Sequence, residues 1–364
     1  MPSKDVDPTI LTDPKLLKQI RTYAAYAVAA YVDYDDNKWY ELPASQGFTS
    51  NTVLLGTFHN HIPSSDGYVA VNTVSKTIIL AFRGSQSFTS FLQDAVVIKH
   101  DYPKNVEGSE VHSGFLAAYK SVDEDVIPLV KDAIKKYPGY ELVCVGHSLG
   151  GAQALLAALD IYSRVTTTET TTTSTTAIAT AVPEPGGFKH VMTKTTTTAI
   201  IVHQTLPISV FTYGMPRVGN AEFATYVNSL FSLPVYRVVQ HRDAVPRMPM
   251  RDEWGYVHCD GEIWLDPSTD ELRAMKTYGP EGCDEDPDGI ASVPRVKLSV
   301  NDHTNYLGFN HDVPDDESRK TYPDEVGTEL PFGQARPSMN VRSVKRRKVE
   351  KVNGKQHTDT NGDV

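Results

Sequence analysis

Apolar and polar positions alternate along this chain in blocks that shift period several times. Residues 13–32, DPKLLKQIRTYAAYAVAAYV, open on Asp-Pro and continue with good helix formers, which predicts a helix. Polar loops and short strand candidates follow. VAVNT (69–73) and TIILAF (77–82) are β-branched runs divided by Val74-Ser75-Lys76, the pattern of a hairpin or of adjacent strands. Residues 116–137 read as helical. ELVCV (141–145) is a short apolar strand that runs into a Gly-rich turn and then into AQALLAALDIYSR, a strong helix. Strand, turn and helix in that order make an α/β pattern. ISVFTYG (208–214), VYRVVQ (235–240) and GEIWL (261–265) continue it as strands.

Two segments break the pattern. Residues 164–206 are dominated by threonine and low in complexity, and composition of this kind rarely packs. They are expected to form a surface insertion without order of its own; O-glycosylation would be its use in a secreted protein. From about residue 319 the chain turns polar and ends in KRRKVEKVNGKQHTDTNGDV. The expected organisation is one α/β domain over 1–318, with 164–206 inserted in it and a disordered tail over 319–364. The basic cluster Lys345–Lys348 matches a nuclear-import pattern, but a plain solvated charge run accounts for it better, because such short matches are common.

Gly146-His147-Ser148-Leu149-Gly150 is a G-x-S-x-G pentapeptide set between a strand and a helix. In that context it is a nucleophile elbow. The turn is so tight that side chains at Gly146 and Gly150 would strike neighbouring backbone. The serine is held in a strained conformation with its hydroxyl above the sheet. The fold expected is α/β-hydrolase: a central, mostly parallel sheet flanked by helices. A serine hydroxyl is a weak nucleophile until a base takes its proton. In this fold the acid follows the serine and the histidine follows the acid. Asp243 sits in a loop directly after VYRVVQ, with Asp252, Asp260 and Asp266 as rivals. His303, in the polar segment DHTNY, leads on order over His258 and His311.

Composition narrows the picture further. The 364 residues carry 35 Lys and Arg against 45 Asp and Glu, a formal net charge of −10. A chain this acidic is a poor nucleic-acid binder, so no nucleic-acid partner is expected. No stretch is long and apolar enough to span a bilayer. The first residues lack a basic region followed by an apolar run, and no Asn-x-Ser/Thr sequon occurs. Both point to a cytoplasmic, intracellular location. Three cysteines cannot build a disulfide framework. Cys144 belongs to the core strand; Cys259 and Cys283 could pair in an oxidising compartment.

Six segments together resemble the class 3 fungal lipase family: AFRGSQS (81–87), VHSGF (111–115), VGHSLGGA (145–152), FTYGMPRVGNAEFA (211–224), YRVVQHRDAVPRMP (236–249) and NDHTNYLG (301–308). They stand in the family's order and span most of residues 75–310. The resemblance implies a triad of Ser148, Asp243 and His303. It also implies an oxyanion hole from the backbone N–H groups of Leu149 and Ser85, with the Ser85 hydroxyl as a further donor. Each preplaced donor is worth about 2.7–4 kcal/mol to acyl transfer. In such lipases a short helical lid covers the site. The matching stretch here is 87–94, where Phe88, Phe91 and Leu92 fall on one helical face. The activity implied is hydrolysis of carboxylic esters, acylglycerols first, at an oil–water or membrane interface, with no cofactor and no metal. A feruloyl-type or general carboxylesterase on the same scaffold is the alternative; the two phenylalanines and Gly150-Gly151 lean toward lipase. A non-catalytic lipid-binding protein is a third reading, against which the complete triad stands. The family is secreted, so an extracellular location is the alternative to the interior. Oligomeric state is left open.

Overall fold

The computed structural model describes residues 9–32, 34, 38–39, 47–61, 64–85, 98–166, 171–176, 194–199, 206–275, 277 and 285–310. The chain divides into Met1–Thr328 and Glu329–Val364, and the described residues all belong to the first unit. The suggested lid with Phe88, Phe91 and Leu92, together with Cys283, His311 and the polar tail, lies outside the described residues.

Nine strands form one sheet: β1 (Thr9–Ile10), β2 (Thr52–His61), β3 (Ser64–Asn72), β4 (Thr77–Phe82), β5 (Glu141–His147), β6 (Ile208–Tyr213), β7 (Val235–Gln240), β8 (Glu262–Leu265) and β9 (Leu272–Ala274). Their spatial order is β1-β9-β8-β7-β6-β5-β4-β3-β2. The five strands β4 to β8 run parallel to one another. The outer pairs are antiparallel, β1 with β9 and β9 with β8 at one edge, β2 with β3 and β3 with β4 at the other. This is the mostly parallel α/β-hydrolase sheet. The hairpin foreseen around Val74-Ser75-Lys76 is the β3–β4 connection, with Asn72 paired to Thr77.

Central strands covered on both faces must be apolar on both faces. In β4 and β6 every residue is buried. Alternation then divides their side chains between two cores. Ile78, Leu80, Phe82, Leu142, Cys144 and Val210 face one. Ile79, Ala81, Val143, Val145, Phe211 and Tyr213 face the other. Helix α1 (Pro14–Ala29) closes the second core, packed across β5 and β6. It begins where Asp13 accepts the Lys15 N–H at 2.9 Å and Pro14 occupies the first helical position. Helices α2 (Ser113–Lys120), α3 (Asp123–Lys136), α4 (Leu149–Thr166) and α5 (Ala221–Ser229) lie on the first core.

Two expectations need correcting. Residues 116–137 are two helices, broken at Ser121-Val122, where the Ser121 hydroxyl turns back to the Ala118 carbonyl at 2.8 Å. Such local bonding competes with helix continuation, and the apolar period runs through the break unchanged. The Thr-rich insertion is not without order. Its first residues finish α4, and Thr171–Thr176 pairs antiparallel with Lys194–Ala199. Threonine is β-branched and favours extended backbone, so a low-complexity run of it still has strand propensity. Of the two cysteines whose pairing the sequence left open, Cys259 is a buried free thiol whose pKa burial raises to about 11, and Cys283 lies outside the described residues. Cys144 is free and buried in the core, as expected.

Candidate active site

The nucleophile elbow joins β5 to α4. Ser148 has φ 59°, a left-handed conformation that costs a non-glycine residue about 1–3 kcal/mol. The neighbourhood enforces it. A Cβ at Gly146 would lie 2.2 Å from the Gly150 carbonyl carbon, and one at Gly150 would lie 2.2 Å from the Phe82 carbonyl oxygen. Only glycine lets the turn fold against itself and against the end of β4. The strain is fixed by hydrogen bonds on both sides, from Ser148 N–H to Tyr213 O at 2.8 Å and from Gly151 N–H to Ser148 O at 3.0 Å. Ser148 is 1% exposed, and its Oγ has no hydrogen-bond partner among the described residues.

The end of β4 brings the proposed oxyanion segment to the same place. A Cβ at Gly84 would sit 2.7 Å from the His147 carbonyl and 3.1 Å from the Ser148 Cβ. Ser85 follows directly. Leu149 opens α4, and the first-turn N–H groups of a helix lack intrahelical acceptors and carry the positive end of its dipole. Leu149 is thus next to Ser148 in the chain, and Ser85 follows Gly84, which packs against Ser148.

Asp243 lies just beyond β7, is 0% exposed, and hydrogen-bonds His303 through its Oδ2 to Nδ1 at 2.9 Å. A carboxylate only accepts, so Nδ1 carries the proton and Nε2 is left as the basic nitrogen. The His303 ring lies against that of His147, the residue preceding the serine, with centroids 4.5 Å apart. The structure thus joins Asp243 to His303 and packs the His303 ring against that of His147, the neighbour of Ser148. The rivals are elsewhere. Asp252 is exposed and paired with Arg295, Asp266 caps a turn at Ser268, and the Asp260 N–H bonds Asn228. His258 is buried under the acid loop, where its Nε2–H reaches the Pro246 carbonyl at 2.8 Å. Burial, reinforced by Arg237, pushes its pKa well below the ordinary histidine value.

Several groups that the sequence did not mark out hold this cluster. The Tyr306 hydroxyl donates to the same Asp243 Oδ2, while Oδ1 accepts the Val245 N–H at 2.9 Å. Burial and then the Asp243 charge push the Tyr306 pKa far above the usual phenol range, so it stays a donor. Gln240 at the end of β7 clasps the segment after His303. Its amide N–H donates to the Asn305 carbonyl and its Oε1 accepts the Leu307 N–H at 2.7 Å. Asp302 accepts the Arg242 N–H at 3.1 Å. His147 has a positioning role of its own. Its Nε2–H donates to the His303 carbonyl at 2.8 Å, which leaves Nδ1 to accept the Tyr31 hydroxyl at 2.8 Å. Tyr306 lies three residues past His303, in the strand that follows the 3₁₀ turn. Tyr31 lies 116 residues from His147, and nothing in the local pattern links them.

Beneath the acid loop lies a buried ion pair. Arg217, from the MPRVGN segment, donates from Nε to Glu285 Oε1 at 2.5 Å and from a terminal nitrogen to Oε2 at 2.6 Å. Its other terminal nitrogen donates to the carbonyls of Arg247 at 2.5 Å and Pro249 at 3.0 Å. Burial works to raise the Glu285 pKa, but the Arg217 hydrogen bonds and charge outweigh it and bring it down to about 2.

Sequence comparison matches the family Lipase (class 3) over residues 79–205 and 191–253. A secreted mono- and diacylglycerol lipase A of Penicillium camembertii is 30% identical over 257 residues, covering 68% of this chain and 70% of its own length. The chain belongs to the class 3 lipase family. A Rhizopus niveus lipase is 34% identical over 297 residues, 81% of this chain. The chain spans 64% of the length of that curated relative. Among solved structures, the lipase from Rhizopus microsporus var. chinensis superposes with a TM-score of 0.66 at 29% identity, covering 84% of this chain and 92% of that one. A triacylglycerol lipase whose catalytic centre is described as a serine protease triad superposes at 0.65 with 28% identity, covering 84% of this chain and 98% of its own. Class 3 lipase motifs and elbow geometry thus coincide on the same residues.

Proposed function

We propose that this chain is a serine-dependent carboxylic ester hydrolase acting on acylglycerols, with Ser148, His303 and Asp243 as its triad. The observation that carries the reading is the buried Asp243–His303 hydrogen bond beside a serine held at positive φ. Family membership and the triad of a structural relative support it.

His303 Nε2 takes the Ser148 proton as Oγ attacks the ester carbonyl. Asp243 fixes the imidazole tautomer and stabilises the imidazolium that forms. The carbonyl oxygen gathers negative charge, which the Leu149 and Ser85 N–H groups receive without reorganising. The imidazolium then gives its proton to the departing alcohol. Water repeats the sequence on the acyl-enzyme and frees the acid. The buried surroundings strengthen each of these interactions relative to water.

The substrate reading rests on relatives named as lipases and on the apolar stripe Phe88, Phe91 and Leu92. At a lipid surface the cost of exposing apolar side chains vanishes, so a sequence stripe of this kind favours an emulsified substrate. The test is a panel of p-nitrophenyl butyrate, p-nitrophenyl palmitate, tributyrin across its solubility limit, and methyl ferulate. Turnover of both acyl esters, with a rate that climbs as tributyrin passes into emulsion, is the expected result. Preference for methyl ferulate would move the reading to a feruloyl esterase. A smooth hyperbola through the solubility limit would remove the lid from the account.

A further inference from the structure

Away from the catalytic cluster, the outermost strand β2 carries two histidines two residues apart, His59 and His61. Strand alternation sends both side chains to the same face, and both residues are exposed. Their rings stand edge to face at 88°, with centroids 4.1 Å apart. His59 Nε2 lies 2.9 Å from His61 Nδ1 and 3.2 Å from His61 Nε2.

We propose that His59 and His61 form a bidentate surface site for a borderline divalent metal ion, Cu²⁺ foremost, with Ni²⁺ and Zn²⁺ as weaker occupants. Imidazole nitrogens bind these ions at about 2.0–2.1 Å, so two adjacent ligands on one ion stand about 2.9 to 3.3 Å apart, according to whether the angle is square or tetrahedral. The nitrogens of His59 and His61 already have that separation. The tautomer is also set. Strand pairing places Asp66 opposite His59, and the Asp66 carboxylate receives the His59 Nδ1–H. The proton on Nδ1 leaves the Nε2 lone pair free to ligate, and the exposed His61 ring can turn so that its own lone pair meets the same ion. A carboxylate behind a ligating imidazole orients the ring and raises its basicity. Asp66 is itself fixed, since its carbonyl accepts the Arg83 N–H at 2.8 Å and its side chain lies 3.9 Å from the Arg83 guanidinium.

The chemistry selects the ion. Two neutral nitrogens suit Cu²⁺, Ni²⁺ and Zn²⁺, whereas Ca²⁺ and Mg²⁺ require oxygen ligands. Among the described residues no cluster of three or more histidine, cysteine or acidic side chains is placed to hold a metal. The site is therefore an open one, completed by water, and stands apart from the closed four-ligand sites that hold a fold together.

The full chain titrated with CuCl₂, followed by electron paramagnetic resonance and equilibrium dialysis, tests the proposal. The wild type is expected to bind one more Cu²⁺ than the His59→Gln/His61→Gln variant, with a nitrogen-coordinated spectrum for that ion. Asp66→Asn keeps both ligands and is expected to weaken the site by about 10- to 100-fold. Ester hydrolysis by the double variant reports that it is folded. A measurement on the wild type alone covers the case where it is not. One equivalent of Cu²⁺ should protect His59 and His61 from diethyl pyrocarbonate, read by peptide mass spectrometry, while MgCl₂ should not. Equal Cu²⁺ stoichiometry in wild type and double variant, or equal modification of both histidines with and without Cu²⁺, would overturn the site.

Discussion

The two sides of the candidate active site are built by different physics. On the serine side, the backbone does nearly everything. β5, the elbow and α4 close on one another so tightly that two glycines are demanded and Ser148 is forced to positive φ. On the acid–base side, Asp243 and His303 sit in short loops and a 3₁₀ turn, and side-chain hydrogen bonds from Tyr306, Gln240 and Arg217 hold them. The difference teaches where each side is vulnerable. Steric closure fails all at once, whereas a hydrogen-bonded scaffold loses function and stability by separable steps.

On the acid–base side a large loss of catalysis is expected. Asp243→Asn keeps the shape but favours the wrong imidazole tautomer, and kcat should fall by about 10⁴ with little change in KM. Steady-state kinetics on p-nitrophenyl butyrate will show it. A loss confined to KM would mean that Asp243 acts on binding instead.

Gly150→Ala tests the serine side. Its methyl would collide with the backbone of Phe82 and Arg83, which cannot swing away. A loss of about 4 kcal/mol or more is expected from denaturant unfolding. A loss under about 1 kcal/mol, the usual size of a tolerated substitution, would show that the elbow has room and that steric closure is not its basis.

Glu285→Gln sharpens the contrast by attacking the scaffold and leaving the chemistry untouched. It leaves the Arg217 guanidinium buried without its counter-charge, and stability should fall by about 3 kcal/mol. The pH dependence follows from the Glu285 pKa, lowered from 4.5 to about 2. The unfolded chain binds the proton first, so the pair's contribution is whole above pH 4.5 and is lost as pH falls toward 2. Stability measured from pH 5 to pH 2 should decline less steeply in the variant than in the wild type. Parallel curves would mean that the pair carries no acid sensitivity.

The smallest of these effects is Tyr306→Phe. It removes one donor from the Asp243 carboxylate while His303 and the Val245 N–H remain. A hydrogen bond to a charged group is worth about 1.5–3 kcal/mol, so kcat should drop by roughly 10- to 150-fold while the fold stays intact. Unchanged kcat would place Tyr306 among the packing residues.

The same contrast explains what could be read from the chain beforehand. The elbow was legible because its constraints are local: a strand, five residues with two glycines, and a helix. The Asp243–His303 pair was legible in part: Asp243 is the first acid past a strand, whereas order alone left His303 beside His311 and the family resemblance chose between them. The bonds that fix them were not, because Tyr31, Gln240 and Arg217 reach across loops whose meeting no local period records. The α2–α3 break went unread because apolar spacing continues across Ser121-Val122. The paired strands of the Thr-rich insertion went unread because low complexity was taken to outweigh the strand preference of threonine.

The central claim is that Ser148 is the nucleophile of an ester hydrolase. A fluorophosphonate probe followed by peptide mapping tests it most directly. The account predicts one stoichiometric adduct on the peptide containing Ser148, none in Ser148→Ala, and a fall in kcat for that variant on the order of 10⁶. An adduct on a different residue, or hydrolysis retained in Ser148→Ala, would contradict it.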